Sequence, residues 1–202
     1  MRALIALKLQ DDFKSLDGDF IGADKGALEL ADLGIHMKLA IGDFDSIDKA
    51  DLKKIRAYAD EVVELNPIKD NTDAEAAIHA AMDRGYDEIW LCGATGARMD
   101  HSLINLRIAM KYPGIIWLHD RCNLIHAVKE GDYTISKKEY PYISFFTDTK
   151  AVITLDGFAY PLDHRTLTQQ DLYTVSNEIT GDTGILHVHE GKVLVMQTKD
   201  QA

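Results

Sequence analysis

Apolar residues in the first 120 positions form short continuous runs, separated by stretches with helical spacing. Ala3 to Leu7 is the first run, short enough for a buried strand. Asp19 to Ala23 reads as a second strand. Gly26 to Leu33 has helical character, with Gly34 as its C-terminal stop. Met37 to Ile41 is a third strand, Ala50 to Tyr58 a helix, and Val62 to Leu65 a fourth strand. Thr72 and Glu75 stand at capping-box spacing, so a helix is predicted to start at Thr72. Ala74, Ala77, Ile78 and Ala81 form its apolar stripe, and Gly85 ends it. Glu88 to Cys92 is a fifth strand and Gly93 to His101 a glycine-bearing loop. A helix follows over Ser102 to Lys111, stopped by Pro113-Gly114, and Ile115 to Leu118 is a sixth strand. This alternation predicts an α/β domain, a doubly wound and mostly parallel sheet with helices on both faces.

The pattern changes near residue 122. Helical periodicity gives way to strand-like runs at Leu124 to Val128, Tyr133 to Ile135, Tyr142 to Phe146 and Ala151 to Leu155. Ile185 to His189 and Lys192 to Met196 flank Glu190-Gly191, which predicts a terminal hairpin with a two-residue turn. Two domains are therefore expected: an α/β domain over residues 1–122 and an antiparallel all-β domain over 123–202.

In a parallel sheet every strand-to-helix loop opens on one edge, where such sheets bind ligands. Asp24, the pair Asp43 and Asp45, Asp70 with Asp73, and Arg98 with Asp100 all fall in such loops. The densest stretch is Gly42-Asp43-Phe44-Asp45-Ser46. If it stays extended, both carboxylates project to one side and Phe44 anchors the other. Two carboxylates about 4 Å apart repel by roughly 4 kcal/mol at an effective dielectric near 20. A divalent cation would remove that cost, and Mg²⁺ prefers carboxylate and phosphate oxygens. Each aspartate alone also suits a helix cap; their convergence in four loops favours a site.

Composition narrows the partners. With 33 acidic against 22 basic residues the formal charge is −11, which argues against nucleic acid held through its phosphates. No run approaches the 18 apolar residues of a membrane span, and the N-terminus lacks a signal-peptide pattern. Cys92 and Cys122 have no metal-binding spacing and read as reduced, buried thiols of a cytoplasmic protein. His187 and His189 share a strand face, but with no third ligand nearby they read as exposed strand histidines. Trp90 and Trp117 read as core. No dinucleotide fingerprint, Walker lysine or serine nucleophile elbow is present.

Five motifs, in order and at fitting spacings, resemble the thiamine pyrophosphokinase family. They are Ala23-Asp24-Lys25-Gly26-Ala27, Gly42 to Ser46, Lys69-Asp70-Asn71-Thr72-Asp73, Gly93 through Asn105, and Ser176-Asn177-Glu178. The resemblance spans nearly the whole chain. It implies a homodimer that transfers the pyrophosphoryl unit of ATP to the hydroxyl of thiamine, giving thiamine diphosphate and AMP. By the same resemblance Asp43, Asp45, Asp73 and Asp100 would surround Mg²⁺ and phosphates, and Arg98 would clamp a phosphate. Asp24, Lys69, Asp70 and Thr72 would hold the nucleotide, and Ser176 and Asn177 would hold thiamine. Asp45 is the candidate acceptor of the thiamine hydroxyl proton. The chain departs from the family at Lys25 and Ala97, where glycine is usual, and at Thr174-Val175, where Gly-Leu is usual. A metal-dependent nucleotide phosphohydrolase and a non-catalytic thiamine or nucleotide sensor are the alternatives.

Overall fold

The computed structural model describes residues 1–8, 13, 16–66, 72–96, 98–137 and 139–200. The chain divides into two compact units. One comprises Met1–Ser102 with His119–Arg121, the other Leu103–Leu118 with Cys122–Ala202.

The first unit alternates strand and helix. Its strands are β1 (Arg2–Ala6), β2 (Asp19–Ala23), β3 (Leu39–Gly42), β4 (Val62–Glu64) and β5 (Glu88–Cys92), and its helices α1 (Lys25–Asp32), α2 (Lys49–Ala57) and α3 (Asp73–Asp83). The strand order is β4-β3-β2-β1-β5. All the registered pairs, β1 with β2 and β5, β2 with β3, and β3 with β4, are parallel. Residues 3–6 of β1 are all buried, as expected of a strand covered on both faces. Leu4 and Ala6 share a core with Ala27, Leu30 and Ala31 of α1 and Ile55 of α2. The alternate residues Ala3 and Ile5 face the other way, and α3 packs on β1, β2 and β3. Thr72 caps α3 as its spacing predicts, accepting the Glu75 N–H at 3.2 Å. Asp48 caps α2 through the N–H groups of Ala50 and Asp51.

Helix α4 (Met99–Lys111) begins three residues before the predicted Ser102, which puts Asp100 in its first turn. Strands β6 (Ile116–His119), β7 (Asn123–Val128), β8 (Gly131–Ser136), β9 (Tyr142–Phe146), β10 (Lys150–Asp156), β11 (Leu162–Thr168), β12 (Thr183–Gly191) and β13 (Val193–Thr198) follow. Within the second unit β13 pairs antiparallel with β7 and β9, and a separate antiparallel sheet has the order β11-β10-β12-β8. The two sheets share one core, built from Ile143, Phe145 and Val195 on one side and Ile153, Leu155 and Leu186 on the other.

The terminal hairpin is not formed. Strand β12 pairs with β10 and β8, whereas β13 pairs with β7 and β9. The predicted turn residues Glu190 and Gly191 are still in register with β10, opposite Val152 and Ala151. Only Lys192 separates the strands, too little for the two-residue loop a hairpin needs. The chain crosses between sheets there instead.

Candidate active site

Three acidic loops of the first unit come together electrostatically. Asp24 follows β2 with φ 48°, outside the usual range for a residue with a side chain. Its N–H donates to the Ile41 carbonyl at 2.9 Å, tying the β2–α1 loop to β3. A Cβ on Gly42 would lie 3.0 Å from the Asp24 Cα, so glycine there permits the approach. The Asp24 carboxyl is pushed up from its ordinary range, chiefly by desolvation. Repulsion from Asp73 and Asp43 adds to this, while the Lys25 N–H and charge act in the opposite direction. Its Oδ1 is enclosed and has no hydrogen-bond partner among the described residues.

Asp43 and Asp45 flank Phe44, as the motif implies. Phe44 is 5% exposed and belongs to the α1–α2 core, and its φ of 52° turns the chain at that point. Asp43 Oδ1 accepts the Asp45 N–H at 3.2 Å, a local turn of the kind aspartates make. Asp43 is half-buried and Asp45 exposed. Asp73 is half-buried at the start of α3, directly after the cap Thr72. Lys69 and Asp70 lie outside the described residues, as does Ala97.

Arg98 and Asp100 form a bidentate pair, Nε to Oδ1 at 3.1 Å and Nη2 to Oδ2 at 2.5 Å. The guanidinium holds the Asp100 carboxyl well below the usual range, at about 2, and the His101 N–H assists. Both side chains are exposed. The Arg98 carbonyl accepts the Ser102 N–H at 3.1 Å and its hydroxyl at 3.2 Å, which closes the first turn of α4. The loop before Arg98 is held at its other end. Gly93, at φ 73°, lies where a Cβ would stand 1.5 Å from the Lys8 carbonyl, and its N–H donates to the His119 carbonyl at 3.1 Å. The Thr95 hydroxyl donates to Oδ2 of Asp120, a carboxylate only 8% exposed. Sequence reasoning missed this pair, because Asp120 lies in a strand-to-strand loop between β6 and β7, which the rule for strand-to-helix loops does not cover.

Among the described residues, no group of three or more His, Cys, Asp or Glu side chains is arranged to hold a metal ion. The aspartates matched to the family's metal site therefore do not form a ready-made cage. The donor chemistry nevertheless fits a hard cation, since Asp24, Asp43 and Asp73 supply carboxylates and the charges of Asp43 and Asp73 repel that of Asp24. Mg²⁺ keeps several waters and takes only one or two carboxylates beside phosphate oxygens, so it does not need a cage.

In the second unit Ser176 is exposed with φ 54°, and its N–H donates to Ser144 Oγ at 3.0 Å. Asn177 is 5% exposed. Its Oδ1 accepts the N–H groups of Tyr160 at 3.0 Å and Glu178 at 2.9 Å, and its Nδ2 donates to the Tyr160 carbonyl at 2.9 Å. Thr174 turns its hydroxyl inward to the Phe145 carbonyl at 2.5 Å, and Val175 is exposed. On the outer face, His187 sits between Asp132 at 2.7 Å and Asp156 at 3.3 Å. A third histidine, His164 of β11, stacks on His189 with centroids 4.1 Å apart. Trp117 stacks on His126 at 3.8 Å, and Trp90 packs half-buried against the first core.

Comparison with known proteins gives first the class and then the family. The description "Thiamin pyrophosphokinase, catalytic domain" matches residues 19–125, and "Thiamin pyrophosphokinase, vitamin B1 binding domain" matches 132–193. The class is a kinase built from an α/β part and a β part. A curated thiamine pyrophosphokinase of Bacillus subtilis is 34% identical over 189 residues, 90% of this chain and 87% of that one. A crystal structure of thiamine pyrophosphokinase from Bacillus subtilis superposes with a TM-score of 0.86 at 32% identity, covering 99% of each chain. One from Geobacillus thermodenitrificans gives 0.87 at 29% identity, covering 100% of this chain and 98% of that one. The chain belongs to the thiamine pyrophosphokinase family.

Proposed function

We propose that this protein transfers the terminal pyrophosphoryl unit of ATP to the hydroxyl of thiamine. The thiamine oxygen bonds to the β-phosphorus, the bond from that phosphorus to the α–β bridging oxygen breaks, and AMP leaves. The observation that carries the reading is the crowding of Asp24 by Asp43 and Asp73, with one Asp24 oxygen enclosed and without a partner among the described residues. Such repulsion is tolerable at a site whose ligand brings positive charge.

Asp43, Asp45, Asp73 and Asp100 are the residues assigned to Mg²⁺, and Asp24 completes the acidic edge. A Mg²⁺ held by these carboxylates would supply charge neutralisation at the phosphates. Asp24, Lys69, Asp70 and Thr72 hold the nucleotide. Arg98 grips a phosphate through its planar fork, exchanging part of its pairing with Asp100 for the ligand. Asp45, exposed beside Asp43, accepts the hydroxyl proton. The catalytic part is assigned to residues 1–122 and the thiamine-binding part to 123–202, where Ser176 faces thiamine and Asn177, its carboxamide taken up by Tyr160 and Glu178, holds the turn that presents it.

The working form is assigned as a cytoplasmic homodimer. Support for the dimer comes from apolar surface on α4, where Met99 is 77% and Leu103 52% exposed. Leu103 also lines an apolar groove of about 730 Å³ with Met110, Phe146 and Met196. Monomers open surfaces of this kind rarely. No described helix is long and apolar enough to cross a membrane.

The test is an ATP assay with and without thiamine, resolving AMP from ADP. AMP formed in equal measure with thiamine diphosphate, and only when thiamine is present, is the expected result. ADP or phosphate released without thiamine identifies a phosphohydrolase, and binding without product identifies a sensor; either overturns the proposal.

A further inference from the structure

The glycine loop between β5 and α4 carries Arg98 and Asp100, and it is fastened at the end of β6. One fastening is the backbone bond from Gly93 N–H to the His119 carbonyl. The other is the bond from the Thr95 hydroxyl to the Asp120 carboxylate. A carboxylate 8% exposed is costly to desolvate and is retained where its hydrogen bonds compensate. A serine or threonine donating to an ionised acceptor makes one of the stronger hydrogen bonds available to a loop.

We infer that Asp120 and Thr95 are positioning residues for the nucleotide, fixing the glycine loop so that Arg98 meets the phosphates. The inference rests on the proposed ATP chemistry of this edge. Asp120 itself is too enclosed to reach a ligand and acts through Thr95. Without the bond the loop loses the side-chain anchor at Thr95, while the Gly93 tether and the first turn of α4 remain. Arg98 then samples more positions, and its guanidinium meets phosphate less often in the productive geometry. A displacement of about 1 Å at such a group costs up to about 10²-fold in rate. Thiamine affinity should not move, because this loop is assigned to the phosphates.

The experiment is steady-state kinetics of AMP formation on wild type, Thr95→Val, Thr95→Ser and Asp120→Asn, varying Mg·ATP and thiamine separately. Thr95→Val preserves shape and removes the donor. It should raise KM for Mg·ATP about tenfold, leave KM for thiamine within about twofold, and lower kcat less than it raises that KM. Thr95→Ser restores the hydroxyl and should return both constants to within about twofold of wild type. Should Thr95→Val not fold, Asp120→Asn keeps the outline but weakens the charge-assisted bond. It must then show the same split in smaller measure, about threefold. An unchanged KM for Mg·ATP in the folded variants, or equal changes in both KM values, overturns the inference. Wild type that forms no AMP from ATP and thiamine instead refutes the proposed function, so the two failures are distinguishable.

Discussion

Asn177→Ala gives the most quantitative test of the β unit, because this side chain is already occupied by the protein. Its carboxamide makes three hydrogen bonds, two to the backbone of Tyr160 and one to the N–H of Glu178. Each is worth about 0.5–1.5 kcal/mol net, so truncation removes about 1.5–4.5 kcal/mol. Tyr160 is 70% exposed, and water can reach its freed backbone groups, which places the expectation near 2–3 kcal/mol. For a chain of this length that lowers Tm by about 4–12 °C. Ser176→Ala is the contrasting variant. The Ser176 hydroxyl has no protein partner among the described residues, so its loss should change stability by less than about 0.5 kcal/mol. It should weaken thiamine binding by about 2- to 12-fold, the value of one neutral hydrogen bond. Thermal melts and calorimetric thiamine titrations on both variants decide the matter. An Asn177→Ala protein that melts within a degree of wild type while losing thiamine affinity would refute the structural argument and make Asn177 a pure ligand contact. A Ser176→Ala protein with unchanged thiamine affinity would remove Ser176 from the site.

Asp24→Asn keeps the shape and removes a crowded charge; it should raise unfolding free energy in metal-free buffer while lowering AMP formation by at least about 10²-fold. Chemical denaturation and the AMP assay measure the two, and parallel losses in both would reduce Asp24 to a loop residue. Burial pushes the His126 imidazole down to about 4, with Nδ1 enclosed and without a hydrogen-bond partner among the described residues. Its unfolded value is 6.5, so the unfolded chain binds the extra proton, and stability should fall by about 3 kcal/mol as pH drops from about 6.5 to about 4. Urea melts of wild type and His126→Phe across that range should diverge, and parallel curves would refute the assignment. His187 is shifted the opposite way, its imidazolium favoured chiefly by Asp132 and then Asp156. The stability it contributes is complete below the ordinary histidine value and is lost as pH rises through the elevated one. His187→Gln should therefore flatten the alkaline side of the same profile.

How much was legible in the sequence depended on whether the signal was local. The strands and helices of the first unit announced themselves because a strand buried on both faces must be continuously apolar, and because Thr72 caps in place. The edge rule grouped Asp24, Asp43 and Asp73 without any distance, and the charges of Asp43 and Asp73 do act on Asp24. Strand β11 escaped notice because four successive residues, Asp163 to Thr166, are exposed, and a register shift opposite β10 breaks the alternation that would mark a half-buried strand. The terminal hairpin failed for a related reason. Alternation identifies which residues face a core but not which sheet a strand joins, and both β12 and β13 contribute to one core from opposite sides. The bond between Thr95 and Asp120 spans 25 positions, and nothing in either neighbourhood points to the other. Likewise His164 reaches His189 only through the pairing of β10 with both β11 and β12.

Phe44 carries a consequence for anyone who would engineer this protein. A bulky residue held at positive φ stores about 1–3 kcal/mol of strain, and here the ring is locked in the α1–α2 core. That energy is drawn from folding once, when the chain first closes, and not from each turnover. Glycine at this position would relax the backbone but free the two flanking carboxylates to wander. Selection for heat resistance alone would therefore tend to repair the strain and blunt the enzyme, whereas selection for turnover would keep a loop that looks, by every local measure, like a defect.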